Sequence, residues 1–448
     1  MKLAVFSPLN PQRSGISDYM EELLPHLARR AEVHLVIDDY QPATPAVRER
    51  FPIINYRDFP EHDRRHQYDL VLYQMGNSPA HRYCYPFLSR YPGVTVLHDL
   101  VLHHLIAGMT LGQGDPGGYL REMAFAYGAE GESLARSVVR AEREPPFFAY
   151  PLSDRAVRAS LGVIAHSAYV VNAVQWRCPE VPAVRVPMGI PLPPVRDAAS
   201  LREQLGLPED AFVVASFGEA SPHKRLPEAV RAFAALHRNY PGARYVMVGN
   251  RVPALDLDAL VASLGIAEAV RVTGYVTRDE FDAYLQAADV CINLRYPTAG
   301  ETSASALRCM AAGKPVLVSD VGANRELPEG VCLKVPVDAG EQEAIISALE
   351  RLREDRAERR TLGERAWEYV ATHHTLEGAA AGYLRFARQI LSGTAVPASW
   401  EPMERPQGAG VLAAAAGELA ALGVDGADTA LLREVATALR DIGMRTED

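Results

Sequence analysis

Short apolar runs alternate with stretches of helical periodicity along most of the chain. In the first 190 residues, five runs suit buried parallel strands: LAVFSP, EVHLVID, YDLVLYQM, GVTVLHD and LGVIAHS. A second series follows, with FVVASFG, ARYVMVGN, AVRVTGY, DVCINLR, PVLVSD and VCLKV, separated by amphipathic stretches such as LPEAVRAFAALHRNY. Strands that alternate with helices indicate parallel sheets covered on both faces. The pattern therefore predicts an α/β protein with two doubly wound, Rossmann-like domains.

Proline-rich RVPMGIPLPPVRD, residues 185–197, interrupts this periodicity and predicts a linker between the two domains. We place the N-terminal domain at 1–190 and the C-terminal domain at 198–372. Residues 393–448 begin as a Pro/Gly-rich linker and continue as two Ala/Leu-rich amphipathic helices. We expect this helical appendix to provide a packing or homo-oligomer contact.

Composition places the 448-residue chain among soluble globular proteins, with 48% hydrophobic and 23% charged residues. No apolar run approaches the roughly twenty residues of a membrane span, and the first ten residues lack the features of a secretion signal. We therefore expect a cytoplasmic protein. The net charge of −10 argues against a nucleic-acid partner.

The five cysteines are scattered and lack the clustered Cys/His spacing of a metal site. We expect them to be reduced and partly buried, and we assign no metal.

The stretch RYPTAGETSASALRCMAAGKPVLVSD, residues 295–320, carries the clearest chemistry. It places Glu301 in a loop after the apolar run VCINL and before a helix of small residues. Thr302 and Ser303 are N-cap candidates, so backbone N–H groups and the helix dipole would form an anion or hydroxyl site beside the carboxylate. The alternative is a solvated loop carboxylate.

This stretch resembles the retaining glycosyltransferases of family 4, whose C-terminal domain carries two glutamates that run into a small-residue helix and G-K-P-V. The resemblance implies that Glu301 contacts the hydroxyls of a donor sugar. Aligned on L-x-x-M-A-x-G, the second glutamate, which contacts the nucleotide ribose in the family, falls on Arg308. Glu326 either replaces that carboxylate or caps a helix, and both interpretations stay open.

The family resemblance also implies the GT-B fold, in which two Rossmann-like domains face each other across a cleft. The acceptor binds largely to the first domain and the nucleotide-sugar to the second. The resemblance covers roughly residues 1–390, and it makes 373–392 the closing helices that pack back on the N-terminal domain.

Two segments of the N-terminal domain are candidates for the donor site. Ser14 and Gly15 open a helix after the first strand, where glycine lets the backbone approach a phosphate closely. In the family, a glycine-containing loop at this position reaches the donor phosphates. His98 closes the strand VTVLHD and resembles the strand-end histidine of the family, which faces the donor sugar and the acceptor. The alternative is a structural histidine beside a helix-capping Asp99.

In the C-terminal domain, Gly218 follows a strand, and Lys224 and Arg225 stand at the entrance of the next helix. Both cations are predicted to meet a diphosphate, because a leaving nucleoside diphosphate gains negative charge as the glycosidic bond breaks. Family members often have an arginine directly after the glycine. Glu219 stands there in this chain, so we expect Arg225 to compensate.

Two further strand ends resemble the segments that surround the nucleotide in this family. VMVGN contributes Gly249 and Asn250, and VTGYV contributes Tyr275 and Val276, the last through its main chain. Such glycines also occur where strands simply turn.

The predicted activity is transfer of a glycosyl group from a nucleotide-sugar, with retention of configuration and without a metal or other cofactor. Glu301, His98 and Lys224 are the predicted catalytic residues. The expected acceptor is a glycan, a glycoconjugate or a lipid-linked molecule, the last placing the protein peripherally at the inner face of a membrane. Two alternatives stay open: a sugar-nucleotide epimerase of the same fold and a non-catalytic sugar-nucleotide-binding protein.

Overall fold

Two parallel β-sheets organise residues 1–252 and 255–396, which are the part of the chain that the computed structural model describes. The predicted Ala-rich helices lie outside the described residues, as does the predicted linker from residue 397 onward. The homo-oligomer prediction that depends on them stays a prediction.

The N-terminal lobe is built on a seven-stranded sheet in the order β3-β2-β1-β4-β5-β6-β7, with every neighbouring pair parallel. Its strands are β1 (Lys2–Phe6), β2 (Glu32–Ile37), β3 (Ile53–Asn55), β4 (Leu70–Met75), β5 (Val94–Leu97), β6 (Gly162–Ala165) and β7 (Ala183–Arg185). Its helices are α1 (Gly15–Leu27), α2 (Pro45–Arg50), α3 (Phe59–His66), α4 (Cys84–Arg90), α5 (His103–Met109), α6 (Pro116–Val139), α7 (Asp154–Arg158) and α8 (Ala168–Arg177).

The C-terminal lobe is built on a six-stranded sheet in the order β10-β9-β8-β11-β12-β13, again parallel throughout. Its strands are β8 (Val213–Phe217), β9 (Arg244–Val248), β10 (Val270–Val272), β11 (Val290–Asn293), β12 (Val316–Ser319) and β13 (Leu333–Val335). The helices that follow β7 are α9 (Ala198–Gln204), α10 (Leu226–Asn239), α11 (Leu257–Ser263), α12 (Arg278–Ala287), α13 (Ala304–Ala311), α14 (Glu341–Glu354), α15 (Arg356–His373) and α16 (Leu376–Leu391).

Apolar periodicity explains how these layers pack. The central strands β4, β5, β8, β11 and β12 are buried along their whole length, as expected for parallel strands with helices on both faces. Helix α1 buries Met20, Leu23, Leu24 and Leu27 on one face, which is the spacing of an amphipathic helix. All five cysteines are buried and unpaired.

Helix α16 returns to the N-terminal lobe, where it packs against α1 and β6. The hydroxyls of Tyr19 on α1 and Tyr383 on α16 lie 3.2 Å apart, and both rings are fully buried. The end of the described chain is therefore tied to the helix that starts beside Gly15.

Each sheet reverses its strand order at its centre, between β1 and β4 in the N-terminal lobe and between β8 and β11 in the C-terminal lobe. Ligands of open α/β sheets bind outside the carboxyl ends of strands at such switch points. The loops that follow these four strands are where the site is expected. Among the described helices, none is long and apolar enough to cross a membrane.

Candidate active site

A cavity of about 200 Å³ lies between the two lobes and is lined by loops from both. It brings together five of the predicted site residues, which are Ser14, Gly15, His98, Glu301 and Thr302. These residues follow β1, β5 and β11, so the cavity sits at the carboxyl ends of both sheets.

Ser14 and Gly15 form the start of α1 on the N-terminal side of the cavity. The Ser14 hydroxyl accepts a hydrogen bond from the Ile16 N–H (3.2 Å), which makes it the N-cap. The space beside the Gly15 Cα is open, with no atom within 4 Å of where a Cβ would stand. The helix start is therefore accessible to an anionic group.

His98 lies under the cavity and is held in one tautomer. Its Nε2 lies 2.7 Å from the Gln74 Oε1 atom, which can only accept, so Nε2 carries the proton and Nδ1 is left as an acceptor. The ring packs against His166 and Tyr19. Burial, followed by the neighbouring histidines His166 and His81, holds the pKa of His98 well below its usual range. His98 is therefore neutral, and its Nδ1 has no partner among the described residues.

Asp99 does not cap a helix, so that part of the alternative is wrong, while the role of His98 stays a prediction. Its Oδ2 accepts a hydrogen bond from the Asn77 N–H (2.8 Å), whereas α5 begins four residues later with Leu102 at its N-cap. The Asp99 carboxyl lines the cavity together with Glu301. Sequence reasoning did not nominate it as a site residue, although its position directly after a buried strand was a usable signal.

Glu301 is held in place and is not a solvated loop carboxylate, since its side chain is 13% exposed. It accepts hydrogen bonds from Arg295 Nη1 (3.0 Å), the Ala299 N–H (2.9 Å) and the Thr298 hydroxyl (3.2 Å). The second guanidinium nitrogen of Arg295 donates to the Ser303 hydroxyl (3.0 Å). Sequence reasoning missed Arg295, which fixes the direction of the carboxylate.

Ser303 is the N-cap of α13 and accepts a hydrogen bond from the Ala306 N–H (3.2 Å). Its own hydroxyl proton goes to Asn293 Oδ1 (2.7 Å) at the end of β11. Thr302 is different, because its buried hydroxyl lines the cavity without a partner among the described residues. Thr302 is therefore the residue of this pair that can hydrogen-bond a ligand.

Lys224 ends the 3-10 turn Pro222–Lys224, and its ammonium nitrogen lies over Gly218, 2.6 Å from where a Cβ would stand. Burial, and then the charge of Arg295, lowers the pKa of Lys224 to about 7. Gly249 is needed where it is, because a Cβ there would lie 2.0 Å from the Gly218 carbonyl oxygen. The ends of β8 and β9 therefore touch beside Lys224.

Three predicted ligand contacts are already engaged with other side chains or helix ends. Arg225 Nε lies 2.6 and 2.8 Å from the two carboxylate oxygens of Glu341, which is 3% exposed. Arg308 donates to both carboxylate oxygens of Glu22 on α1 (2.7 and 2.9 Å). Glu326 accepts from the first two N–H groups of α8, so its geometry is that of a helix cap in the opposite lobe.

The remaining predicted nucleotide contacts lie outside the cavity lining. The Asn250 carbonyl accepts from the Ala220 N–H (2.8 Å), which closes the Gly218 loop. Tyr275 is 58% exposed, and the Arg13 guanidinium from the opposite lobe lies 4.5 Å above its ring. Val276 packs against the core. Their nucleotide roles stay predictions.

A metal centre was not predicted, and no group of three or more His, Cys, Asp or Glu side chains in residues 1–252 and 255–396 is arranged to hold a metal ion.

Residues 197–369 match the family described as glycosyl transferases group 1. That domain belongs to the group 1 glycosyl transferases. One relative of the chain is D-inositol 3-phosphate glycosyltransferase of Salinispora arenicola, 34% identical over 185 residues that make up 38% of this chain and 40% of the relative. The chain spans about a third to a half of the length of the first curated relatives that it matches.

The predicted GT-B fold is confirmed by solved structures. Sucrose-phosphate synthase from Thermosynechococcus elongatus aligns with a TM-score of 0.64 and 20% identity, covering 88% of this chain and all of that one. Anabaena HepE, solved in complex with UDP and glucose, aligns with a TM-score of 0.61 and 18% identity, covering 87% and 100% of the two chains. At these identities the likeness establishes the fold.

Proposed function

We propose that this protein is a retaining glycosyltransferase that moves a sugar from a nucleotide-sugar to a hydroxyl of a glycan, glycoconjugate or lipid-linked acceptor. The observation that carries the proposal is the cavity between the lobes, where the accessible start of α1 faces the fixed carboxylate of Glu301. The UDP and glucose bound to HepE, a protein of the same fold, support a nucleotide-sugar donor. We further propose that it acts in the cytoplasm, at the inner membrane face when the acceptor is lipid-linked.

In this proposal the protein works by positioning the donor and stabilising charge. Glu301, held by Arg295, accepts hydrogen bonds from the donor sugar hydroxyls. Burial lowers the pKa of Lys224 to about 7, and a bound diphosphate favours its charged form, so its ammonium stabilises the leaving group. The departing diphosphate takes the proton of the attacking hydroxyl on the same face, and the neutral His98 offers Nδ1 as an acceptor at the reacting centre.

An epimerase is the second candidate, because one observation favours it over a pure binding protein. Asp99 lines the same cavity as Glu301, and burial followed by the charge of Glu301 raises its pKa to about 7. A carboxyl that ionises near neutral pH suits acid and base steps on a sugar. Isomerisation of a nucleotide-sugar without any acceptor would identify this activity.

The first test is thermal unfolding of the full chain with UDP-, GDP-, ADP- and dTDP-sugars, each with and without EDTA. A ligand that binds only the folded state raises the midpoint. We expect one class of nucleotide-sugar to raise it in both conditions, because Lys224 and the N–H groups at helix starts supply the positive charge. A shift that EDTA abolishes would contradict metal independence, and no shift with any nucleotide-sugar at millimolar concentration would contradict the proposed donor site.

The second test is Glu301→Gln, assayed as nucleoside diphosphate release with the donor found above. We expect turnover to fall at least about tenfold, since the amide replaces one acceptor oxygen with a donor and cannot retain the charged pair with Arg295. Glu329→Gln is the matched control, because that glutamate is 92% exposed in the same lobe. Equal turnover of the Glu301 variant and the control would contradict the role of Glu301.

A further inference from the structure

The C-terminal lobe lacks one of the two cations that sequence reasoning assigned to the donor diphosphate. Glu219 follows Gly218 where an arginine was expected, and the substitute, Arg225, is directed at the buried carboxylate of Glu341. A second carboxylate, from Glu228, lies 3.6 Å from the same guanidinium. Lys224 is therefore left as the one predicted cation beside Gly218 that is not committed to a carboxylate among the described residues.

Arg295 lies against the loop that carries Lys224. It follows β11 after one residue, and its N–H donates to the Ser319 hydroxyl at the end of β12 (2.9 Å). The next N–H, of residue 296, donates to the His223 carbonyl (2.7 Å) and so ties this loop to the turn Pro222–Lys224. The charge of Arg295 contributes to the lowered pKa of both Lys224 and His223, after burial. Three basic side chains therefore meet at the switch point of the sheet.

The guanidinium of Arg295 has unused donors in a buried position. It carries five N–H donors in a planar fork, and two are accounted for by Glu301 Oε1 and the Ser303 hydroxyl. Its Nε is buried and has no hydrogen-bond partner among the described residues. Buried donors are nearly always paired, so the guanidinium of Arg295 keeps donor capacity that no described residue satisfies.

We propose that Arg295 is the second cation of the diphosphate subsite and binds the donor phosphates together with Lys224. The inference rests on the proposed function and deepens it. Nη1 stays on Glu301 while the remaining N–H groups reach phosphate oxygens, a geometry that suits a planar guanidinium better than an ammonium. One side chain then fixes both the carboxylate that orients the sugar and the leaving group.

The test is calorimetric titration of the full chain with inorganic pyrophosphate, which contains the phosphates without sugar or base. We expect Arg295→Gln to weaken binding about tenfold or more, since it removes charge-assisted hydrogen bonds. Arg202→Gln is the matched control, because the Arg202 side chain is 12% exposed, close to the 13% of Arg295, and pairs with Asp289 in the same lobe away from the cavity. The control should stay within about twofold of the wild type.

A double variant separates direct binding from an indirect effect through Glu301. Removal of Arg295 also leaves the carboxylate of Glu301 uncompensated, which alone would repel pyrophosphate. If Arg295 binds phosphate, Arg295→Gln combined with Glu301→Gln recovers only the part of the affinity lost to that repulsion and stays clearly weaker than the wild type. Recovery of wild-type affinity in the double variant would overturn the proposal and leave Arg295 as a positioning residue only.

Two further arms keep the test decisive. If Arg295→Gln does not fold, Arg295→Lys replaces it. We expect an intermediate loss of pyrophosphate affinity, because one ammonium cannot pair with Glu301 and a phosphate together. Wild-type affinity in that variant would overturn the proposal. The double variant Arg225→Gln with Glu341→Gln tests whether Arg225 is the second cation instead of Arg295. We expect it to bind pyrophosphate as tightly as the wild type does. A loss of affinity equal to that of Arg295→Gln would overturn the proposal. If the wild type binds neither pyrophosphate nor any nucleoside diphosphate, the proposed function itself fails.

Discussion

Asp99 is a buried carboxyl in the lining of the cavity. Its carboxyl lies at the end of β5 and accepts one hydrogen bond from the Asn77 N–H. Burial, followed by the negative charge of Glu301, raises its pKa to about 7, while the Asn77 hydrogen bond and the charge of Arg295 act in the opposite direction. Ionisation therefore destabilises the folded protein.

We predict that Asp99→Asn stabilises the protein at alkaline pH. The ordinary pKa of an aspartate is about 3.9, so the folded state disfavours the charge and the penalty appears as pH rises from about 4 to about 7. The unfolding midpoint of the variant should exceed that of the wild type by an amount that grows over this window and is constant above it. The asparagine can still accept from Asn77.

The measurement is thermal unfolding at half-unit steps from pH 4 to pH 8.5. Asp279→Asn, which removes an exposed carboxylate outside the cavity, controls for the general effect of losing a negative charge. A difference between Asp99→Asn and the wild type that stays constant over the whole range would contradict the prediction.

Individual residues were predictable where the signal is local. Glu301 and Ser303 follow directly from a carboxylate and an N-cap placed between a buried strand and a small-residue helix. The ion pair of Arg225 could not be predicted in this way, since its partner carboxylate, Glu341, lies 116 residues further along the chain. Arg295 was missed because its importance depends on its neighbours in the folded chain, although a charge directly after the apolar run VCINL was visible.

At the scale of elements, α8 is completed by a residue from the other lobe. The Ser167 hydroxyl accepts from the Val170 N–H (3.3 Å), which is the cap that the sequence itself provides. Glu326 accepts from the Ala168 and Tyr169 N–H groups (2.9 and 2.6 Å). A helix start has unpaired N–H groups and a positive dipole end, so a carboxylate there is stabilising. No local pattern could predict a cap 158 residues away.

We predict that Glu326→Gln lowers the free energy of unfolding by about 1 kcal/mol, since glutamine offers one acceptor oxygen and no charge to two N–H groups. Hydrogen exchange should quicken at the amides of Ala168 and Tyr169. Ser167→Ala is the matched variant, for it removes the cap within the lobe and should quicken exchange at Val170. Unchanged exchange at Ala168 and Tyr169 in Glu326→Gln would contradict the capping role.

At the scale of the whole molecule, sequence periodicity predicted both sheets but not how the lobes meet. The alternation of buried strands and amphipathic helices is local, so the GT-B fold could be predicted from it and from the family resemblance. One contact between the lobes joins the Val101 N–H to the Ala299 carbonyl (2.9 Å), beside Gly300. Gly300 has φ +80°, and an added Cβ would lie 2.6 Å from the Leu100 Cβ. Such contacts join distant segments and leave no periodic signal.

Glu22 on α1 links the two lobes through two arginines of the C-terminal lobe. Arg308 donates to both of its carboxylate oxygens, and Arg278 pairs with it from the start of α12. Arg308 is 7% exposed, and Glu22 accounts for all of its side-chain hydrogen bonds within the described residues. Glu22 therefore has a second partner in Arg278, whereas Arg308 has no second partner among the described residues.

This asymmetry predicts unequal effects of breaking the pair. Glu22→Gln leaves a buried guanidinium without its counter-charge and should cost about 2 kcal/mol of unfolding free energy, because an unpaired buried charge is expensive. Arg308→Met should cost less, since Glu22 keeps Arg278 and the methionine fills an apolar site. The double variant should resemble Arg308→Met, because no guanidinium then remains unpaired at residue 308.

Urea unfolding measures the three effects, and small-angle X-ray scattering measures whether the radius of gyration rises as the lobes separate. We expect the radius of gyration to rise most for Glu22→Gln. Losses of unfolding free energy that add in the double variant, or a larger loss for Arg308→Met than for Glu22→Gln, would show that this ion pair does not hold the lobes together.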